Sequence, residues 1–169
     1  RNTYSRKGLT FMIIGVVSDT HNNIKNIKKI ISLFNNERVS HVIHTGDIAN
    51  AKSLEIFSEL NSKLIGVYGN NDRNETGIKE IVSINNFEFQ EPPNVITLCH
   101  KNIAIFHEPD PIDGFLLKNK NIDIVIHGHT HRYTNETRQG ILFFNPGECA
   151  GMRVGSNAIG FLDLKNLEA

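Results

Sequence analysis

The feature that most constrains this chain is one pattern used several times without any repeated sequence. A short apolar, β-branched run stops abruptly at a loop of Asp, Asn, His and Gly. Met12 to Val17 stops at Ser18-Asp19-Thr20-His21, Val39 to His44 at Thr45-Gly46-Asp47, and Lys63 to Tyr68 at Gly69-Asn70-Asn71-Asp72. Ile103 to Phe106 stops at His107, and Ile122 to Ile126 at His127-Gly128-His129-Thr130-His131. Runs that are apolar throughout, with no alternation, read as strands covered on both faces. Amphipathic stretches separate the first of them. Asn22 or Asn23 can cap a helix whose stripe is Ile24, Ile27, Ile31 and Phe34, with Lys25, Lys28 and Lys29 facing water. Leu54, Phe57 and Leu60 mark the inner face of a second helix, and Ile78, Ile81 and Val82 that of a third. Strands alternating with helices of this length imply parallel pairing.

After Asn86 the rhythm changes. Phe87 to Phe89, Val95 to Leu98 and Ile103 to Phe106 follow as short strands separated by turn residues, so a second sheet is expected to begin here. A helix is expected over Ile112 to Lys118, and further strands over Tyr133 to Thr137, Ile141 to Phe144 and Ala158 to Leu164, with a turn at Asn145-Pro146-Gly147. The expected fold is α/β, a four-layer α-β-β-α sandwich of two mixed sheets flanked by helices. With 169 residues, 39% of them hydrophobic, one domain over residues 12–169 can bury a sufficient core. Residues 1–11 read as a loose N-terminal leader. Eighteen basic and eighteen acidic side chains cancel, so no global field favours a nucleic-acid duplex or a membrane surface. No apolar run approaches the roughly 20 residues that span a bilayer. Cys99 and Cys149 are far apart and form no CxxC, which argues against a disulfide framework or a thiolate zinc site and for a reducing, cytoplasmic setting.

In α/β sheets, ligands sit beyond the carboxyl ends of the strands, so the polar loops converge on one crevice. They offer oxygen and nitrogen and no sulfur. That mixture suits Mn²⁺, Fe²⁺, Co²⁺, Ni²⁺ or Zn²⁺, and without an acidic cage it does not suit Ca²⁺. Each motif alone has an ordinary explanation: Asp19-Thr20-His21 as a helix cap, Gly46-Asp47 and Gly69-Asn70 as turns. The weight lies in the ordered set.

That set, Asp19-Thr20-His21, Gly46-Asp47, Gly69-Asn70-Asn71-Asp72, His107 and Gly128-His129-Thr130-His131, resembles the calcineurin-like metallophosphoesterases. The likeness is greatest to their small, single-domain prokaryotic phosphodiesterase branch, and it runs from Met12 to the last strand. The resemblance implies a binuclear metal-dependent phosphodiesterase that hydrolyses small phosphodiesters through a metal-bridging hydroxide. It assigns Asp19, His21, Asp47 and His131 to one ion and Asp47, Asn70, His107 and His129 to the other. Asp47 is then the bridge, and Asp47, Asn70 and His129 surround the reacting centre. A carboxylate can hold two ions about 3.5–4 Å apart, one oxygen to each. Mn²⁺ is the expected metal, with Ni²⁺, Co²⁺, Fe²⁺ and Zn²⁺ compatible. A phosphomonoesterase or nucleotide phosphatase with the same site, a non-catalytic scaffold of the same fold, and a homodimer all stay open.

Two departures from the family bear on substrate. Many larger relatives carry Gly-Asn-His-Glu where this chain has Gly69-Asn70-Asn71-Asp72. Asn71 cannot act as a general acid, so a bias towards good leaving groups is expected. Asp72 is expected to orient a neighbouring ligand. Glu108 stands where glycine often follows the histidine and is expected to disfavour doubly charged monoesters. His41, His44, His100 and His127 are read as non-ligands, and Cys149 has no activating base nearby in sequence.

Overall fold

Side chains that point alternately to the two faces of nearly fully buried strands build the layers. A computed structural model describes residues 12–152, 155 and 157–169, and the leader expected over residues 1–11 lies outside them. In β1 (Ile13–Val17), Ile14 and Val16 face one way while Ile13, Gly15 and Val17 face the other. The same alternation holds in β2 (His41–His44) and β3 (Lys63–Val67), so Ile43, Ile65 and Val67 join Ile14 and Val16 on one face. Val17, Val42 and Leu64 face outward, onto Ile27, Ile31 and Phe34 of α1 (Ile24–Glu37), Leu54 of α2 (Ala51–Ile56), Phe57 of the following 3-10 turn, and Ile78 of α3 (Ile78–Ile84). Gly15 is required here: a Cβ would lie 2.5 Å from the Phe34 ring, so only bare backbone lets α1 approach β1. Asn23 caps α1, its side chain accepting from the Asn26 amide at 3.1 Å, and Arg38 ends the helix in the left-handed conformation.

β4 (Glu88–Gln90) follows, then β5 (Asn94–Leu98), β6 (Lys101–Ile105), α4 (Ile112–Lys118), β7 (Ile124–Ile126), β8 (Thr134–Arg138), β9 (Ile141–Asn145) and β10 (Gly160–Asp163). Among the described residues these strands make two five-stranded mixed sheets, ordered β10-β1-β2-β3-β4 and β5-β6-β7-β9-β8. Ile103, Ile105, Ile124, Ile126 and Phe144 of the second sheet meet the inner face of the first. Ala104, Val125 and Phe143 face the other way, onto Ile112 and Phe115 of α4. The order of layers is therefore α-β-β-α, as expected. Each fully buried Ile or Phe in these clusters contributes about 1.5–3 kcal/mol through burial.

Two strands belong to a different sheet from the one the sequence suggests. β4 extends the first sheet, parallel to β3 with Gly66 opposite Phe89, so the second sheet begins only at Asn94. Its partner is chosen by the bare backbone of Gly66, against which the Phe89 ring lies so closely that a Cβ would sit 2.6 Å from it. β10 also returns to the first sheet, antiparallel to β1, and puts Leu162 into the core between the sheets. No helix among the described residues is long and apolar enough to cross a membrane.

Candidate metal centre

β1, β2 and β3 run parallel in one sheet, and β6 and β7 run parallel in the other, so the loops at their carboxyl ends meet. The turns are tight. Asp19, His21, Asp47, His129 and His131 all take positive φ, between 45° and 64°. Side chains with a Cβ rarely adopt this region, and its recurrence at five of the seven candidate ligands marks a site held against local preference.

Around His107 the hydrogen bonding has a direct chemical consequence. Its ring is fully buried, and Nδ1 lies 2.8 Å from the Thr45 carbonyl. A carbonyl only accepts, so Nδ1 carries a proton and Nε2 is the nitrogen turned towards the site. Asn70 Oδ1 lies 2.9 Å from that Nε2, His129 Nδ1 3.3 Å and Asp47 Oδ1 3.4 Å. A cation set between them would satisfy these oxygen and nitrogen atoms together. On the other side, Asp19 Oδ1 lies 3.4 Å from His131 Nε2, and Asp47 Oδ2 lies 3.9 Å from His21 Nε2. Asp19 Oδ1 and His21 Nε2 are buried without a hydrogen-bond partner among the described residues. Ligand atoms of Asp19, His21 and His131 lie within 4.8 Å of one another, as do those of Asp19, Asp47 and His107. The structure thus brings together all seven side chains that the sequence singled out. Asp47 directs one oxygen towards His107 and the other towards His21, and such a donor set fits two divalent ions with nitrogen and oxygen ligands.

The supporting contacts are dense. Asp19 Oδ2 accepts from the Ser18 hydroxyl and, at 3.0 Å, from the His129 amide, which leaves Oδ1 for the site. Burial pushes the Asp19 carboxyl above its ordinary range, against the pull of Ser18, His107 and His131. Asp72 is buried, and its Oδ2 accepts from the amides of Asp47 and Gly69 while Oδ1 accepts from Ile48 and Ala49, all at 2.8–2.9 Å. One carboxylate thus fixes the loop carrying Asp47 to the loop carrying Asn70. Both ring nitrogens of His44, expected to be a non-ligand, are engaged: Nε2 bonds Thr20 Oγ1 at 3.0 Å and Nδ1 accepts from the Gly46 amide. Burial, with His107 adding to it, lowers its pKa to about 3, so the ring stays neutral.

Sequence reasoning missed two asparagines. Asn71 is more than a missing acid, because its amide N–H and side-chain Nδ2 donate to the two oxygens of Asp47 at 3.0 and 2.7 Å. Asn145 is fully buried at the end of β9, and its Nδ2 donates to the Gly128 carbonyl and to Thr130 Oγ1, both at 3.1 Å, which steadies the loop bearing His129 and His131. The strand-end rule that picked out the other loops applies equally to Asn145. Glu108 has a partner that its sequence context did not reveal. Arg73 reaches it at 3.2 Å and Glu91 at 3.3 Å, so the carboxylate does not act as an isolated charge towards substrate.

Comparison with known proteins gives one answer. The profile of the calcineurin-like phosphoesterase superfamily domain matches residues 12–167. Phosphodiesterase MJ0936 of Methanocaldococcus jannaschii is 36% identical over 159 residues, covering 93% of this chain and 96% of that protein. Phosphodiesterase YfcE of Escherichia coli K12 is 25% identical over 166 residues, covering 86% and 84%. A solved archaeal phosphodiesterase superimposes with a TM-score of 0.84 at 36% identity, over 93% of this chain and 96% of the other. Vps29 of Entamoeba histolytica, 20% identical with a TM-score of 0.67 over 90% and 86% of the two chains, shares the fold.

Proposed function

This chain belongs to the calcineurin-like phosphoesterase superfamily and is a metal-dependent phosphoesterase, and from that premise we propose that it hydrolyses small phosphodiesters at a binuclear centre. Residues 12–169 form the catalytic domain. Asp19, His21, Asp47 and His131 hold one ion, and Asp47, Asn70, His107 and His129 hold the other, with Mn²⁺ as the expected metal. When bound, the pair of cations supplies Lewis acidity at phosphorus and a shared hydroxide as nucleophile. The observation that carries this reading is the convergence of oxygen and nitrogen atoms on His107 Nε2, beside an aspartate that turns one oxygen to each half of the site.

The residues then divide the work. Two carboxylates among four histidines and an asparagine leave the loaded centre positive, which draws in a phosphate ester. Asn71 is committed to Asp47 and has no proton of suitable acidity, so the leaving alkoxide departs without help from that position. The two unpaired cysteines accord with a reducing, cytoplasmic setting. This chain presents every expected ligand type together, which favours catalysis over a purely scaffolding role.

The test strips the protein with chelator, restores Mn²⁺ and measures turnover of bis(4-nitrophenyl) phosphate against 4-nitrophenyl phosphate. Metal-dependent cleavage favouring the diester is expected, together with a steep fall in rate as leaving-group pKa rises. Asp47→Asn is expected to lose more than the roughly 10–100-fold that removal of a supporting contact costs. Neither tight metal nor turnover would leave the scaffold reading; preference for the monoester would make the enzyme a phosphatase.

A further inference from the structure

Beside the metal centre, on the outer face of the second sheet, lies a cavity of about 710 Å³ that the hydrolytic machinery does not use. One end is Thr130, between His129 and His131, with Arg132 just beyond; a second wall begins at Pro109, two residues past His107. It is therefore continuous in the chain with three candidate ligands. Its volume falls in the range of small-molecule sites, about 300–1,000 Å³.

The lining has a recognisable chemistry. Phe143 forms apolar floor, and the Arg138 guanidinium lies over its ring, 4.9 Å from the centroid. Arg138 is held in place by Glu136, so a flat cationic surface is presented to the cavity. The buried His127 ring is also in the floor. Asp110, Asp113, Thr130 and Thr134 complete the lining. Arg132 and Arg138 balance the two aspartates in charge. A track for a nucleic-acid strand would be strongly positive, and this one is not. What the site offers is a guanidinium plane, backed by the Phe143 ring, on which a flat ring can stack, with carboxylates to accept from amino groups: the requirements of a single nucleobase.

We infer that this cavity binds the nucleoside arm of a phosphodiester whose phosphate lies on the metal centre, making the natural substrate a nucleoside-containing diester. The inference rests on the phosphodiesterase reading for the placement of phosphate, though not for the affinity of the cavity itself. Arg138 is then a specificity-determining residue whose side chain lies outside the catalytic cluster.

Two measurements test it. With Mn²⁺-loaded enzyme, adenosine 5′-(4-nitrophenyl phosphate) and methyl 4-nitrophenyl phosphate share a leaving group and differ only in the other arm. KM for the first is expected to be lower by about fivefold or more, and Arg138→Ala is expected to erase that advantage while leaving kinetics on the methyl ester unchanged. Equal KM values for the two esters, or a variant that shifts both alike, would overturn the inference. With metal-free protein, adenosine titrated against amide chemical shifts is expected to move Thr130, Arg132, Thr134 and Arg138 and to leave Lys29 and Leu33 still. Absence of those shifts also overturns it. Shifts without turnover of either ester would instead sink the phosphodiesterase reading and leave the nucleoside site standing.

Discussion

Asp72 and His44 show how single residues hold the centre without touching substrate. The residue types of the candidate ligands were legible because metal chemistry restricts them to few choices. The supporting role of Asp72 was legible by its place in the motif, but its four amide partners were not, since they lie partly on another loop. With two amides on each oxygen of Asp72, replacing one oxygen by NH₂ sets donor against donor. Asp72→Asn is therefore expected to weaken metal affinity about 10–100-fold, with much of the turnover restored at saturating metal, as a metal titration of activity will read. His44 gives a pH dependence. Its folded pKa, about 3, lies below the ordinary 6.5, so the unfolded chain takes up a proton that the fold refuses. This contribution to stability is fully present above pH 6.5 and falls as pH drops towards 3, by up to about 1.4 kcal/mol per unit. Urea unfolding across that window is expected to show a shallower slope for His44→Gln than for the parent.

At the scale of elements, the strand-loop rule located five loops because an apolar run ending in polar residues is a local signal. Sheet membership is not local. The three residues of β4 carry no mark of parallel pairing with β3, and β10 finds β1 across most of the chain length. Which loops touch was likewise hidden, yet a glycine records it. A Cβ on Gly128 would overlap Ser18 Oγ and crowd Thr45 Oγ1 and Asp19 Oδ2, so the β7 loop can lie on the β1 and β2 loops only as bare backbone. Gly128→Ala is expected to cost about 1–3 kcal/mol by overpacking and to reduce metal binding by parting the His129 amide from Asp19. The helix α4 supplies the control. A Cβ at Gly114 meets nothing within 4 Å, so Gly114→Ala is expected to gain about 0.5–1 kcal/mol of stability with metal binding unaltered. Thermal unfolding and metal titration of both variants separate local crowding from a generic alanine effect.

For the whole molecule, the decisive fact is that the ligand set is split between the sheets. Asp19, His21, Asp47 and Asn70 follow strands of the first sheet, whereas His107, His129 and His131 follow strands of the second. The apolar layer between the sheets holds them face to face without regard to charge, but at its upper edge the buried groups oppose folding. Asp19 is desolvated, and His21 Nε2 lacks a hydrogen-bond partner among the described residues. Cations bound at the proposed centre would remove that opposition and tie one sheet to the other, which would link metal binding to folding. A site at a hundred times its dissociation constant adds about 2.7 kcal/mol to stability, provided the unfolded chain binds weakly. For a domain of this length, about 2–4 °C accompanies each kcal/mol. Saturating Mn²⁺ is therefore expected to raise the melting temperature by about 5–10 °C per tightly bound ion, and chelator to reverse the rise. In Asp47→Asn the bridge between the two halves is lost, and the metal-dependent rise should largely disappear even if the metal-free protein melts no lower than the parent. A melting temperature indifferent to Mn²⁺ in the parent protein would mean that the two sheets are not joined through this centre.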